Sequence, residues 1–173
     1  MIKPKNATVA LALACVLAAA GCIKTAKSSG EMQPQRTRIT SALPDNAFMA
    51  NLTPADPPAN MRAGEQKTVT VRVKNASQVA WPADSPADGK GAFTITLRDR
   101  WLSADGNKVV NDVDGGTPMV YDLLPGGELD LPLKIAAPKE KGNYVLEFDM
   151  VQEQVSFFRE KGSTPARINV KVE

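Results

Sequence analysis

Thr68-Val69-Thr70-Val71-Arg72-Val73-Lys74 places a valine at every second position and a polar or charged residue between. Successive side chains of an extended chain leave opposite faces, so this is a strand with one buried face. The same period of two recurs on both sides of it. Phe93, Ile95 and Leu97 alternate with Thr94, Thr96, Arg98 and Arg100, and Trp101 continues the apolar set past Asp99. Leu129, Leu131, Leu133 and Ile135 form a third set, in which Pro132 predicts an edge strand or a bulge. Tyr144, Leu146, Phe148 and Met150 make a fourth, and Ile168, Val170 and Val172 a last one. Shorter candidates lie at Phe48–Leu52, Lys108–Val110, Met119–Leu123 and Val155–Phe158.

Turn residues separate these runs at Asp105-Gly106, Gly115-Gly116, Pro125-Gly126-Gly127, Gly142-Asn143 and Gly162. No segment carries a helical period over eleven or more residues. Seven to nine short strands punctuated in this way predict an all-β domain over residues 47–173, a single antiparallel β-sandwich of immunoglobulin type.

Composition narrows the function. The 173 residues include 21 Lys+Arg, 19 Asp+Glu, two Cys and no His. Without histidine there is no Ser-His-Asp or Cys-His constellation, no His-ligated metal and no imidazole switch. Two cysteines build neither a thiolate cage nor a disulfide framework. A net charge of +2 does not predict nucleic-acid binding. The expectation is a non-enzymatic protein without metal or cofactor.

Residues 1–21 read as an address. Lys3 and Lys5 precede an apolar run, Ala7–Ala20, too short to cross a bilayer but of the length of a secretory signal. The run closes on Ala19-Ala20-Gly21-Cys22. These four residues resemble a bacterial lipobox, whose cysteine is acylated and heads the mature chain, although Ala19 stands where that motif usually has Leu. The resemblance implies a lipid on Cys22 as the membrane anchor, in the cell envelope with the domain outside the cytoplasm. Ile23 after the cysteine favours the outer over the inner membrane. Cleavage after Ala20, guided by Ala18 and Ala20, is the alternative and would leave a soluble protein. Cys15 leaves with the signal, so no intramolecular disulfide is expected. Losing Lys3 and Lys5 also brings acids and bases into balance. Residues 22–46 are rich in Lys, Ser, Thr, Gln and Pro without periodicity, which predicts a flexible tether.

The domain also has a recognisable order of features. Gly64-Glu65 leads into the valine strand, which ends in Lys74-Asn75-Ala76-Ser77 before Trp81-Pro82. Arg100-Trp101, Pro125-Gly126-Gly127-Glu128, Ala137-Pro138, Gly142-Asn143-Tyr144 and the 151–158 segment follow. This order resembles the immunoglobulin-like C-terminal domain of polysaccharide ABC transporters and is similar to the four-tryptophan Ig-like domains of autophagy receptors. The first resemblance implies glycan binding. Phe157 stands where the glycan-binding relatives often have Trp, and the transporters' nucleotide-binding half is absent.

Within this frame Trp81 is expected to plug one mouth of the sandwich, Tyr144 to act as a tyrosine corner, and Trp101 to be buried. Asp99 falls on the inward face, a conflict that requires a bend or a donor from elsewhere. The acids of 111–116 have half of a calcium-loop spacing and read as a solvated turn. The candidate ligand-binding residues are Arg98, Arg100, Tyr121 and the exposed member of the pair Phe157 and Phe158. Arginines beside an aromatic ring suit an acidic or modified glycan, or an acidic envelope protein.

Overall fold

The valine strand is the centre of a three-stranded antiparallel sheet. In the computed structural model, which describes residues 35–84, 91–112 and 115–173, β3 (Gln66–Asn75) lies between β1 (Ala50–Ala55) and β7 (Glu128–Ala136). Val69, Val71 and Val73 pair in register with Leu133, Leu131 and Leu129. Both apolar sets therefore leave the same face, and all six side chains are buried. Pro132 sits on the outer strand of this sheet, where its missing N–H breaks no ladder on the solvent side.

The second sheet runs β2 (Asn60–Met61), β10 (Ala166–Val172), β8 (Gly142–Gln152), β4 (Ile95–Ser103) and β5 (Val109–Asn111). Two short strands complete it: β6 (Thr117–Pro118) pairs with β4, and β9 (Ser156–Phe157) with β8. All pairs are antiparallel except β2 with β10. The inward residues Ile95, Leu97, Trp101, Leu146, Phe148, Met150, Val170 and Val172 join the valines and leucines of the first sheet in one core. The architecture is an open antiparallel β-sandwich.

Both ends are closed by the expected aromatics. Trp81 is fully buried, donates its indole N–H to the Ala47 carbonyl at 2.8 Å, and stands edge-on to Phe158 at 5.1 Å. Tyr144 donates its hydroxyl to the Glu140 carbonyl at 3.0 Å and so ties down the turn before β8. Gly142 lets the ring pack closely there; a Cβ would lie 3.3 Å from it.

Two expectations need correcting. Residues 35–46, assigned by composition to the tether, are fastened to the sandwich. Ile39 is buried in the core, its N–H bonds the Asp84 carbonyl at 3.0 Å, and the Leu43 N–H bonds Gln152 Oε1 at 2.8 Å. Met119–Leu123 is not a strand; only Thr117–Pro118 pairs with β4, and Leu123 makes an isolated bridge to Trp81. The chain turns there because the Asp122 carboxylate accepts from the Thr37 and Ala83 N–H groups at 2.8 Å each. Burial opposes its ionisation, but these bonds prevail and hold its pKa below the ordinary value. Cys22 and the signal lie outside the described residues, as do parts of the 84–91 and 111–116 loops. Among the described residues no helix is long and apolar enough to cross a membrane.

Candidate functional site

The middle strand of the larger sheet is buried on both faces. Tyr144, Leu146, Phe148 and Met150 of β8 face the core, while Val145, Glu147, Asp149 and Val151 face outward and are covered as well. An outward carboxylate on an open sheet normally meets water. Here it meets arginines. Glu147 accepts from Arg100 Nε at 2.6 Å and from Arg167 Nε at 2.7 Å, one on each neighbouring strand. Asp149 accepts from the Arg159 backbone N–H at 3.2 Å and its Nη1 at 3.0 Å.

Arg159 arrives because the chain folds back on itself after β8. The turn at 153–155, with Gln154 at a φ of 63°, returns β9 against Val151 and Gln152. A 3-10 helix, Phe158–Lys161, follows. Ser156 Oγ and the Phe157 N–H both donate to Glu160 Oε2, at 2.8 and 3.0 Å. The Ser156 bond is the main reason that Glu160 titrates below its ordinary value. The helix thus sets the Arg159 guanidinium over the Phe157 ring at 3.8 Å and against Asp149 beneath. The space these side chains enclose with Arg98, Arg100 and Glu147 is too small for a water molecule.

The candidate residues divide on this geometry. Arg98 and Arg100 share the outer face as expected, with Phe157 beside them. Phe158 is not available to a ligand: it is fully buried, 4.9 Å from Phe48 and 5.1 Å from Trp81. The 3-10 turn breaks the strand after Phe157, so Phe158 enters the core at the end of the sandwich. Tyr121 is half-buried against the core and does not line the grooves beside Arg98. Asp99 keeps its inward position, opposite Phe148 in the β4–β8 register, and is 2% exposed. The strand does not bend to release it.

Sequence reasoning missed Glu147, Asp149, Glu153, Arg159 and Arg167. A signal existed: antiparallel pairing sets Arg100 opposite Glu147 and Arg98 opposite Asp149. The second pair is not the one formed. Arg159 occupies Asp149, and Arg98 turns to Glu153 Oε1 at 2.8 Å and to the Gly115 carbonyl at 3.1 Å.

The Arg98–Glu153 pair floors two adjoining concavities of about 450 and 370 Å³, which share Arg98, Glu153 and Gln154. Phe157, Ser156 and Asp112 line one, and Thr94, Thr96 and Pro118 the other. The wall at 115–118 can approach β4 only because position 116 is glycine; a Cβ there would lie 2.7 Å from Thr96 Cγ2. This groove offers hydroxyls, carboxylates, a guanidinium and one aromatic ring. A larger cleft of about 640 Å³ lies at the other end of the sandwich, between Val110 of β5 and the residues around Pro138. None of the candidate residues lines it. Among the described residues no cluster of three or more acidic or cysteine side chains is placed to hold a metal ion.

No family model and no curated protein matches the chain. Solved structures similar to it include a CARDB domain from Pyrococcus furiosus in complex with di-metal ions. It is 14% identical over 72% of this chain and 86% of that one, with a TM-score of 0.44. A β-glucosidase from Listeria innocua in complex with isofagomine is 16% identical, with a TM-score of 0.43 over 71% of this chain and 16% of that one. Spo0M, a sporulation control protein from Bacillus subtilis, is 13% identical, with a TM-score of 0.41 over 72% of this chain and 49% of that one.

Proposed function

We propose that the chain is a bacterial envelope lipoprotein, anchored through Cys22, whose sandwich is a non-enzymatic binding module for a surface or cell-wall glycan. The observation that carries the binding half is the groove over the Arg98–Glu153 pair. It is concave, lined by polar groups already held in place, and edged by the Phe157 ring. Sugars present hydroxyls to such planar polar groups and apolar ring faces to an aromatic side chain. The Arg98 guanidinium, held by Glu153, fixes the floor against which these contacts form. The resemblance to the polysaccharide-transporter domain points the same way. The anchoring half rests on Ala19-Ala20-Gly21-Cys22 after the apolar run.

Binding of envelope polysaccharide by the full chain tests the first half. Arg98→Ala and Phe157→Ala should each weaken it by at least about 1 kcal/mol, roughly fivefold. Unchanged binding in both folded variants refutes the groove. Arg100→Ala is unsuitable for this purpose, because it strips a buried carboxylate of one partner and costs stability. Labelling with a radioactive fatty acid tests the second half: the wild type should take it up and Cys22→Ser should not. A protein-assembly role is the second reading, favoured by Val109 and Val110, exposed on the edge strand β5 beside the larger cleft. Val110→Asp would abolish a partner contact there and leave glycan binding intact.

A further inference from the structure

The point at which the chain joins the sandwich is fixed in the structure. The Asp122 N–H donates to the Gln35 carbonyl at 2.8 Å, and the Asp122 carboxylate holds the Thr37 N–H. Two residues to either side of Asp122 are Val120 and Leu124, whose side chains are exposed, at 53% and 56%. A third exposed apolar residue belongs to the same end. The Met49 carbonyl accepts from the Ala76 N–H, and the neighbouring Asn75 carbonyl accepts from the Gly126 N–H. Asn75 Nδ2 also donates to the Leu123 carbonyl at 2.9 Å. Met49, exposed at 50%, and Leu124 thus belong to loops bound to the same Asn75-Ala76 stretch. Arg36 and Arg38, both largely exposed, lie on the segment that Asp122 holds; both pair with Asp84, at 3.8 and 3.5 Å, and the charge of Arg36 also acts on the Asp122 carboxylate.

Large aliphatic side chains at the end where the chain enters, with cations on the entering segment, match the chemistry of a bilayer surface: apolar tips for the interface, guanidinium groups for lipid phosphates. The distance allows it. Cys22 and Gln35 are 13 positions apart, a span of at most about 45 Å even when fully extended. An acyl chain on Cys22 would hold this end of the domain within that distance of the membrane. We infer that the end of the sandwich carrying Met49, Val120 and Leu124 docks on the lipid surface, giving the anchored domain a fixed orientation. The inference rests on the acylation of Cys22 proposed above. In that orientation the cleft at Val110, at the far end of β7, a strand about 27 Å long, points away from the membrane.

The test uses the full, membrane-extracted chain in vesicles of phosphatidylethanolamine with a minority of phosphatidylglycerol. Leu124→Cys and Val110→Cys are each labelled with a polarity-sensitive fluorophore, and flotation is measured in parallel. The label at 124 should brighten by about twofold and resist quenching by aqueous iodide, while the label at 110 stays quenched. An aqueous signal at 124 in chains that float overturns the docking and leaves the anchor standing. Equal changes at both positions also overturn it, since the domain then has no preferred face. A chain that neither floats nor carries fatty acid refutes the anchor, and the docking with it.

Discussion

Asp149→Asn should stabilise the domain at neutral pH. The Asp149 carboxylate is 3% exposed on the outer face of β8, with Glu147 on its own strand, Arg98 and Arg100 on β4, Arg167 on β10, and Arg159 with Glu160 folded over it. Burial pushes its pKa up from 3.8 to about 6, against the backbone bond, charge and side-chain bond of Arg159 and the Met150 N–H. The folded state therefore binds this proton more tightly than the unfolded chain does. Its contribution to stability is fully present below 3.8 and is lost as pH rises through 6. A displacement of about two units at 1.36 kcal/mol each gives about 3 kcal/mol lost by pH 8. Asparagine keeps the shape and an acceptor for the Arg159 N–H, but carries no charge to desolvate. Urea denaturation, which does not screen ion pairs, should find the variant about 1–3 kcal/mol more stable than wild type at pH 8, with the gap closing by pH 4. Taking the difference between the two proteins cancels the other carboxylates. These include Asp122 and Glu160, whose lowered pKa values act in the opposite sense at acid pH. A variant less stable than wild type at pH 8, by a margin that does not vary with pH, would refute the reasoning. It would mean that the Arg159 pair more than offsets the cost of burial.

The two neighbouring phenylalanines should behave oppositely. Phe158→Ala empties a site between Phe48 and Trp81 and should cost about 3–5 kcal/mol in the same unfolding assay. Phe157→Ala, losing a half-exposed ring under Arg159, should cost about 1 kcal/mol. Equal losses would place both rings in the core. Tyr144→Phe removes only the bond to Glu140 and should cost about 1 kcal/mol without changing glycan binding; an unchanged unfolding curve would show that the corner carries no load.

The charged cluster changes how the outward arginines are read. From the sequence, Arg98 and Arg100 are two free cations on a solvent face. In the fold, Arg100 and Arg167 close over Glu147 from both sides, and Arg98 is committed to Glu153. Little of their charge remains for a ligand. This places the proposed glycan contacts on the groove walls and the Phe157 edge, with Arg98 holding the floor.

What the sequence determined by itself is whatever depends on neighbours along one strand. Alternation at Val69, Val71 and Val73 states which side of β3 is buried, because each residue's face follows from the one before it. The same reasoning found β4, β7, β8 and β10, while the residues at strand ends pointed to the Trp81 plug and the Tyr144 corner, and Pro132 to an edge strand or a bulge, of which the edge is what forms. Only the tertiary structure decided what depends on partners distant in the chain. Ile39 is one apolar residue in a polar stretch, without periodicity, and is buried because a bridge between Arg38 and Asp84 lays it against the core. Phe157 and Phe158 are alike in sequence; a 3-10 turn capped by Glu160 sends one outward and the other in. Glu147 and Asp149 read as solvent-facing acids until β4, β10 and the returning helix bring arginines over them. Burial of a charge is settled by the groups assembled around it, and those come from three separate elements.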